Sequence, residues 1–222
     1  RLTLKHPLSV TDAIALIPDG STIMIGGFMG VGSPLSLIKE LVRQGKKSLC
    51  VIANDTAQEG AAIGLLIDAH SVKKVIVSHI GTNPETQRQM ISKELEVELS
   101  PQGTLAERVR AGGYGLGGVL TPTGVNTLAA EGKQLIEVDG ESFVLERPLK
   151  ADFALIKAQQ SDYYGNLKYR LTAKNFNPLM AMAAKHVIVE VEEMLPVGCI
   201  PPDDVHTPGV LVDMIVKSET KA

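Results

Sequence analysis

Aromatic residues are scarce in this chain: 222 residues carry four Phe, four Tyr and no Trp. Its core must therefore be built from aliphatic side chains, which the 44% hydrophobic content amply supplies. Cysteine is nearly absent as well, since Cys50 and Cys199 stand 149 positions apart, so a disulfide framework and a thiolate metal cluster are both excluded. No tract is basic and the net charge is −3. Nucleic acid and anionic membranes are accordingly poor partners.

Long apolar runs are missing too. Residues 20–38 and 111–130 are uncharged, but Gly, Ser, Thr and Pro interrupt both, and neither is a continuous apolar span of about 20 residues. Residues 1–10 hold no apolar secretory segment, so a cytoplasmic protein with reduced, buried thiols is expected. The five histidines show no metal-ligand spacing, and no metal site is predicted.

What is abundant is glycine, and it is unevenly placed. Residues 26–32 hold four glycines and residues 112–118 hold five, together nine of the 21 in the chain. Around these windows, short β-branched runs alternate with helical segments. Strands are predicted over 22–27, 48–53, 74–78, 97–99, 153–158 and 186–190, and helices over 9–17, 34–44, 57–69, 83–93, 104–111 and 178–184. Several strands are continuously apolar, as strands covered on both faces should be. The fold class predicted is α/β, an open and largely parallel sheet with helices on both faces, forming one domain over 1–222. A β-hairpin insertion over 134–145 turns at Asp139-Gly140, a dipeptide suited to the φ > 0 positions of a type I′ turn.

The helix over 34–44 has the fullest set of signals. Ser33 is expected to cap it, Pro34 to occupy its first turn and Gly45 to close it, with Leu37, Ile38 and Leu41 on its buried face.

The first glycine window joins a buried strand to that helix. In an open parallel sheet such a loop lies beyond the strand ends, where ligands bind. Gly26, Gly27, Gly30 and Gly32 lack Cβ atoms, so they admit a ligand to the backbone and leave N–H groups to donate, with exposed Phe28 among them. The helix beginning at Pro34 adds positive dipole character.

No Lys-Ser/Thr pair ends this loop, so a Walker-type phosphate loop is excluded. The second window matches the letters of a dinucleotide fingerprint, but a helical pattern precedes it and Leu120-Thr-Pro-Thr-Gly124 follows, where a strand and a helix are required. Residues 112–124 read as a close-packed glycine turn or as a wall of a subunit or ligand site.

Asn54, Asp55, Thr82 and Asn83 follow apolar strands and read either as helix caps or as polar groups at the same sheet edge. His79 is the histidine nearest that edge. Glu59, Glu85 and Glu146 are the acid candidates, and nothing local marks one of them as an activated nucleophile.

At family level, Asp19-Gly20 followed by TIMIGGFMGVGSP (22–34) resembles the first signature of the family I coenzyme A-transferases, with matches at Gly26, Gly27, Phe28, Gly32 and Pro34. The resemblance continues through IANDT (52–56), SHIGTNPET (78–86), ELSPQGTLAERVRAGG (98–113), GLGGVLTPTGV (115–125), LERPLKAD (145–152) and NFNPLMAMAA (175–184), all similar to the α subunits that act on acetate, acetoacetate and butyrate.

It implies a coenzyme A-transferase fold and a partner β subunit in an α2β2 heterotetramer. It also implies CoA or acyl-CoA as substrate, with no tightly bound cofactor. The nucleophile it implies is a glutamate in a Ser-Glu-Asn-Gly motif of the β subunit; that tetrapeptide is absent here, so the resemblance places no catalytic residue in this chain. CoA contacts carry over to Gly26, Gly27, Phe28, Met29, Gly30, Val31 and Gly32. Gly27→Val is then expected to abolish transfer while leaving the chain folded. Two other readings are a ligand-sensing module on a sugar-phosphate-isomerase-like fold and a stand-alone thioester hydrolase using Glu59 or Glu85.

Overall fold

The computed structural model describes residues 3–219; residues 1–2 and 220–222 of the expected 1–222 unit lie outside that range. In chain order the elements are α1 (Val10–Ala15), β1 (Thr22–Ile25), α2 (Leu35–Arg43), β2 (Leu49–Ile52), α3 (Gly64–Asp68), β3 (Val72–Val77), α4 (Pro84–Ile91), β4 (Glu96–Leu99), α5 (Gln102–Tyr114) and β5 (Val119–Thr121). Then come β6 (Leu135–Val138), β7 (Glu141–Glu146), β8 (Ala151–Asp162), β9 (Leu167–Lys168), α6 (Asn177–Met180), β10 (Ala184–Leu195) and β11 (Met214–Lys217).

The main sheet has the order β11-β10-β8-β1-β2-β3-β4 and is parallel throughout, apart from short β9, which pairs antiparallel with the end of β8. Its strands read as unbroken apolar runs because alternate side chains enter two different cores. Ile23, Ile25, Val51 and Leu155 join Ile14 of α1 and Leu37, Ile38 and Leu41 of α2 on one face. Met24, Ile52, Ala154 and Ile156 join Leu105 and Val109 of α5 and Met180 of α6 on the other. Each large aliphatic side chain buried in this way contributes about 1.5–3 kcal/mol.

The start of α2 differs from expectation. Pro34, not Ser33, is the N-cap residue, and no side chain caps the helix locally. Instead Glu190 of β10 reaches across the sheet and accepts the Leu37 N–H at 3.1 Å, with Ser218 Oγ donating to its other oxygen at 2.9 Å. A first-turn donor expected to face a ligand is thus already engaged. The other end follows the sequence: Gly45 (φ 66) takes over just after the helix and donates to Val42 O.

The helix expected over 57–69 forms only at Gly64–Asp68. Ala57 (φ 56), Gly60 (φ 72) and Ala62 (φ 47) turn the chain through left-handed backbone beforehand. Two of these are alanines, whose helix propensity concealed the turn.

In the second glycine window, α5 continues through Gly112 and Gly113 and closes at Gly115 (φ 71). A Cβ on Gly112 would strike Leu149 O, and one on Gly113 would stand 2.7 Å from Met182 Cβ. These glycines end a helix against neighbouring backbone, which accounts for the close packing without any nucleotide. Asp139 (φ 51) and Gly140 (φ 82) make the hairpin turn as read, and β5, a strand not predicted, adds to the hairpin to give a second sheet of order β5-β7-β6. Contrary to the expectation of buried thiols, Cys50 is half-buried and Cys199 is exposed.

Candidate functional site

Strand order reverses around β1: its connection leads to β2 on one side, while neighbouring β8 leads on to β10 on the other. The crevice beyond such a switch point is where open parallel sheets take ligands. Residues 26–34 occupy it.

The tip of this loop is a tight reverse turn. Phe28 and Val31 exchange two backbone hydrogen bonds, 3.0 and 2.9 Å, with Met29 (φ 48) and Gly30 (φ 85) between them. Positive φ at both central positions is the type I′ pattern, in which glycine is favoured at the second. Phe28 (44%) and Val31 (49%) are exposed there.

Side chains distant in sequence clamp the turn from two sides. Asp55, buried at the end of β2, accepts the Met29 N–H at 2.8 Å, the Asn54 amide at 2.7 Å and the Ala57 N–H at 2.7 Å. On the other side Asn175 donates to Val31 O at 3.0 Å, and Asn177 donates to Gly32 O at 3.0 Å and Ala173 O at 2.8 Å. The carbonyl of Asn177 accepts the Lys157 N–H of β8 at 3.1 Å. Asn177 is wholly buried and so connects the loop, β8 and the 171–174 turn.

These clamps divide the seven loop residues singled out in the sequence. Gly26 lies where a Cβ would overlap Asn177 Oδ1, Gly27 (φ 121) where one would strike Ser33 Oγ, and Gly32 (φ 77) where one would stand 2.6 Å from Ala173 O. Those three glycines admit the protein's own atoms. Gly30 is the open one, its nearest would-be contact being Ala62 Cβ at 3.7 Å. Among the described residues, the N–H groups of Gly30 and Gly32 donate to no acceptor, whereas those of Phe28, Met29 and Val31 are used internally. Met29, Gly30 and Val31 also border a cleft of about 500 Å³ with Leu35, Lys39 and Leu65. On the opposite side Val31 and Gly32 border a smaller cleft of about 270 Å³.

Polar groups beside the loop are knitted together. Asn54 Oδ1 accepts from Gln102 Nε2 at 2.7 Å and from Ser78 Oγ at 3.1 Å. Asn83 caps α4, accepting the Thr86 N–H at 3.0 Å, which is the capping role read from sequence. Asp55 caps no helix; it braces the turn.

Two of the three acid candidates, Glu85 and Glu146, are held in ion pairs. Glu85 is held by Arg88 at 2.7 Å and Gln89 at 2.8 Å, and these hydrogen bonds lower its pKa to about 2, making it a weak nucleophile. Glu146 is buried against Lys133 at 2.7 Å and Arg108 at 3.9 Å. Glu59 is exposed, and so is His79, whose ring fills the space that a Cβ on Gly81 would need. Among the described residues, no group of three His, Cys, Asp or Glu side chains could hold a metal, and no helix is long and apolar enough to cross a membrane.

Sequence reasoning gave no role to Asn175, Asn177, Arg170 or Glu190. Their one signal was position: two asparagines two residues apart, Arg170 shortly after β9, and Glu190 inside the apolar run of β10.

Comparison with known proteins places this geometry. A family model described as Coenzyme A transferase matches residues 8–218. The chain is 53% identical over 212 residues to the acetate CoA-transferase subunit alpha of Escherichia coli K12, covering 96% of each. It is 54% identical over 199 residues to the acetoacetyl-CoA:acetate/butyrate CoA transferase alpha subunit of Clostridium acetobutylicum, covering 90% of this chain and 91% of that one. Among solved structures, glutaconate coenzyme A-transferase from Acidaminococcus fermentans superposes with a TM-score of 0.84 at 23% identity, over 95% of this chain and 75% of that one. An acyl-CoA transferase from Escherichia coli O157:H7, solved as a thioester complex with CoA, superposes with a TM-score of 0.87 at 21% identity; this chain spans 48% of it. These two likenesses are of fold.

Proposed function

Since this chain belongs to the coenzyme A transferase family, we propose that it is the α subunit of an enzyme moving CoA between short-chain carboxylic acids such as acetate, acetoacetate and butyrate. The observation that carries this reading is the 53% identity, across 96% of both chains, to an acetate CoA-transferase α subunit. The engaged state of Glu85 and Glu146 agrees with a nucleophile supplied from elsewhere. A cytoplasmic α2β2 assembly completes the proposal.

The reaction proposed is a two-stage exchange. A glutamate carboxylate of the β subunit attacks the acyl-CoA thioester, and the C–S bond breaks to leave an acyl-glutamyl anhydride and CoA thiolate. The thiolate then attacks the glutamyl carbonyl, releasing the first acid as its carboxylate and forming a glutamyl-CoA thioester. A second acid reverses both steps.

This chain's share is the loop at residues 28–32. Its free N–H groups at Gly30 and Gly32 can donate to oxygen that gains charge as the thioester carbonyl is attacked, where one lost donor costs about 10²–10³ in rate. Gly26 and Gly27 keep the loop's shape from behind, and Phe28, Met29 and Val31 present side chains to the pantetheine arm.

Gly27→Val is not the clean probe the sequence promised, because its side chain would meet Ser33 and the variant would be strained. Gly30→Asn is better: asparagine tolerates φ > 0, and its side chain would enter open space at the donor. Purified chain, with and without its β subunit, is assayed with acetoacetyl-CoA and acetate. Transfer is expected only when both chains are present, and Gly30→Asn is expected to lose at least tenfold in kcat with its melting temperature within a few degrees. Turnover by the lone chain would overturn the subunit reading, and full activity of Gly30→Asn would remove the turn from the site.

A further inference from the structure

The smaller cleft lies at the switch point, between Gly32 of the turn, Lys157 and Gln159 of β8, Glu192 of β10 and the 170–173 segment. Its volume of about 270 Å³ falls just under the roughly 300–1,000 Å³ of sites for drug-sized ligands. It suits a small molecule, not a nucleotide arm.

Its charges are unequally satisfied. Lys157 stands 3.3 Å from Glu192, so these two compensate one another. Arg170 is exposed at the same cleft and makes no side-chain hydrogen bond or ion pair among the described residues. Two cations and one carboxylate leave the cleft with one net positive charge. Alanine and aliphatic side chains, Val31, Ala158, Leu171 and Ala173, complete its walls.

The segment carrying Arg170 is also held in an uncommon conformation. Leu171 has φ 48 and is 82% exposed. A left-handed leucine is rare, and such strain persists where the surroundings enforce it, often at functional sites. Here Asn177, bonded to Ala173 O, and Asn175, bonded to Thr172 O at 2.8 Å, enforce it while fastening the same segment to the glycine turn. The backbone segment that carries Arg170 is therefore tied to the glycine turn.

We propose that this cleft is the subsite for the free carboxylic acid that enters and leaves during transfer, with Arg170 as the anchor for its carboxylate. This rests on the transferase reading above. The planar guanidinium fork matches a carboxylate with two parallel hydrogen bonds, and the alkyl tail lies on the alanine and aliphatic walls. The same acyl group bound as a thioester carries no charge, so Arg170 distinguishes the free acid from acyl-CoA. The other anion within reach of a transferase is a CoA phosphate, and the kinetics separate the two sources.

The test uses the enzyme assembled with its β subunit and measures initial rates with acetate and acetoacetyl-CoA varied independently. Arg170→Ala is expected to raise KM for acetate by about ten- to a hundredfold, as loss of a hydrogen bond to a charged group does. KM for acetoacetyl-CoA stays within about twofold, and Arg170→Lys gives an intermediate KM for acetate, since it keeps the charge and loses the fork. Should the alanine variant fail to fold, Arg170→Gln carries the comparison. A rise in KM for acetoacetyl-CoA alone would identify a phosphate contact and overturn the proposal, as would unchanged constants for both substrates. Wild-type enzyme that moves no CoA at all would instead sink the transferase reading.

Discussion

Asp55 shows how one side chain can determine the shape of the glycine loop. Its two oxygens receive three donors, from Met29, Asn54 and Ala57, at 2.7–2.8 Å. Asp55→Ala strands those donors in a buried setting at about 1–3 kcal/mol each for any that water cannot reach. It also frees the Met29 end of the turn. We expect a melting temperature lower by several degrees and a fall in kcat larger than in KM for acyl-CoA; thermal melts and initial rates on the assembled enzyme check both, and unchanged kcat in a destabilised variant would confine Asp55 to stability. In the sequence Asp55 reads equally as a helix cap, because its partner Met29 lies 26 residues away and no spacing rule connects them. Asn177 was hidden for the same reason, with its loop contact at Gly32 lying 145 residues upstream.

At the scale of elements, α2 was the most legible helix and still held a surprise. Leu37, Ile38 and Leu41 set its buried face by their spacing, yet the acceptor for its first turn comes from β10, not from Ser33. Local capping rules cannot foresee an acceptor delivered by the sheet. Toward its other end, Glu40 accepts from Arg43 Nε at 2.7 Å and Gln44 Nε2 at 2.7 Å, and chiefly the Arg43 hydrogen bond lowers its pKa from 4.5 to about 2. The folded state therefore holds the Glu40 proton less tightly than the unfolded chain. Stability from the ionised form is fully present above about 4.5 and is lost as pH falls through about 2. Glu40→Gln should flatten the acid limb of stability between these values, and melts from pH 5 to 2 measure it; an unchanged limb would show that Glu40 does not contribute to acid unfolding. The predicted helix at 57–69 failed for a different reason, since the alanines at 57 and 62 take left-handed backbone against their own helical preference.

On the scale of the whole molecule, the two sheets meet through buried charge. Glu146 at the end of β7 contacts Lys133 at 2.7 Å and Arg108 at 3.9 Å, and Arg108 of α5 also bonds Glu98 at 3.1 Å. Removing Glu146 takes from buried Arg108 one of its two carboxylate partners and leaves the partly exposed Lys133 without its acceptor. Glu146→Ala is thus expected to destabilise the chain by about 1–3 kcal/mol, read by urea unfolding, and a loss below about 1 kcal/mol would show that apolar contacts alone hold the second sheet. By itself the sequence determined the α/β class, six of the seven parallel strands of the main sheet, the hairpin turn at Asp139-Gly140 and the position of the glycine loop, because hydrophobic periodicity and turn chemistry are local properties of the backbone. Tertiary structure alone decided which glycines of the loop face open space and which face the protein's own atoms, which carboxylates are held in ion pairs, and that Asp55, Asn175 and Asn177 clamp one turn. Those outcomes depend on strand order, which brings residues more than a hundred positions apart within hydrogen-bond distance, and no local periodicity encodes that distance.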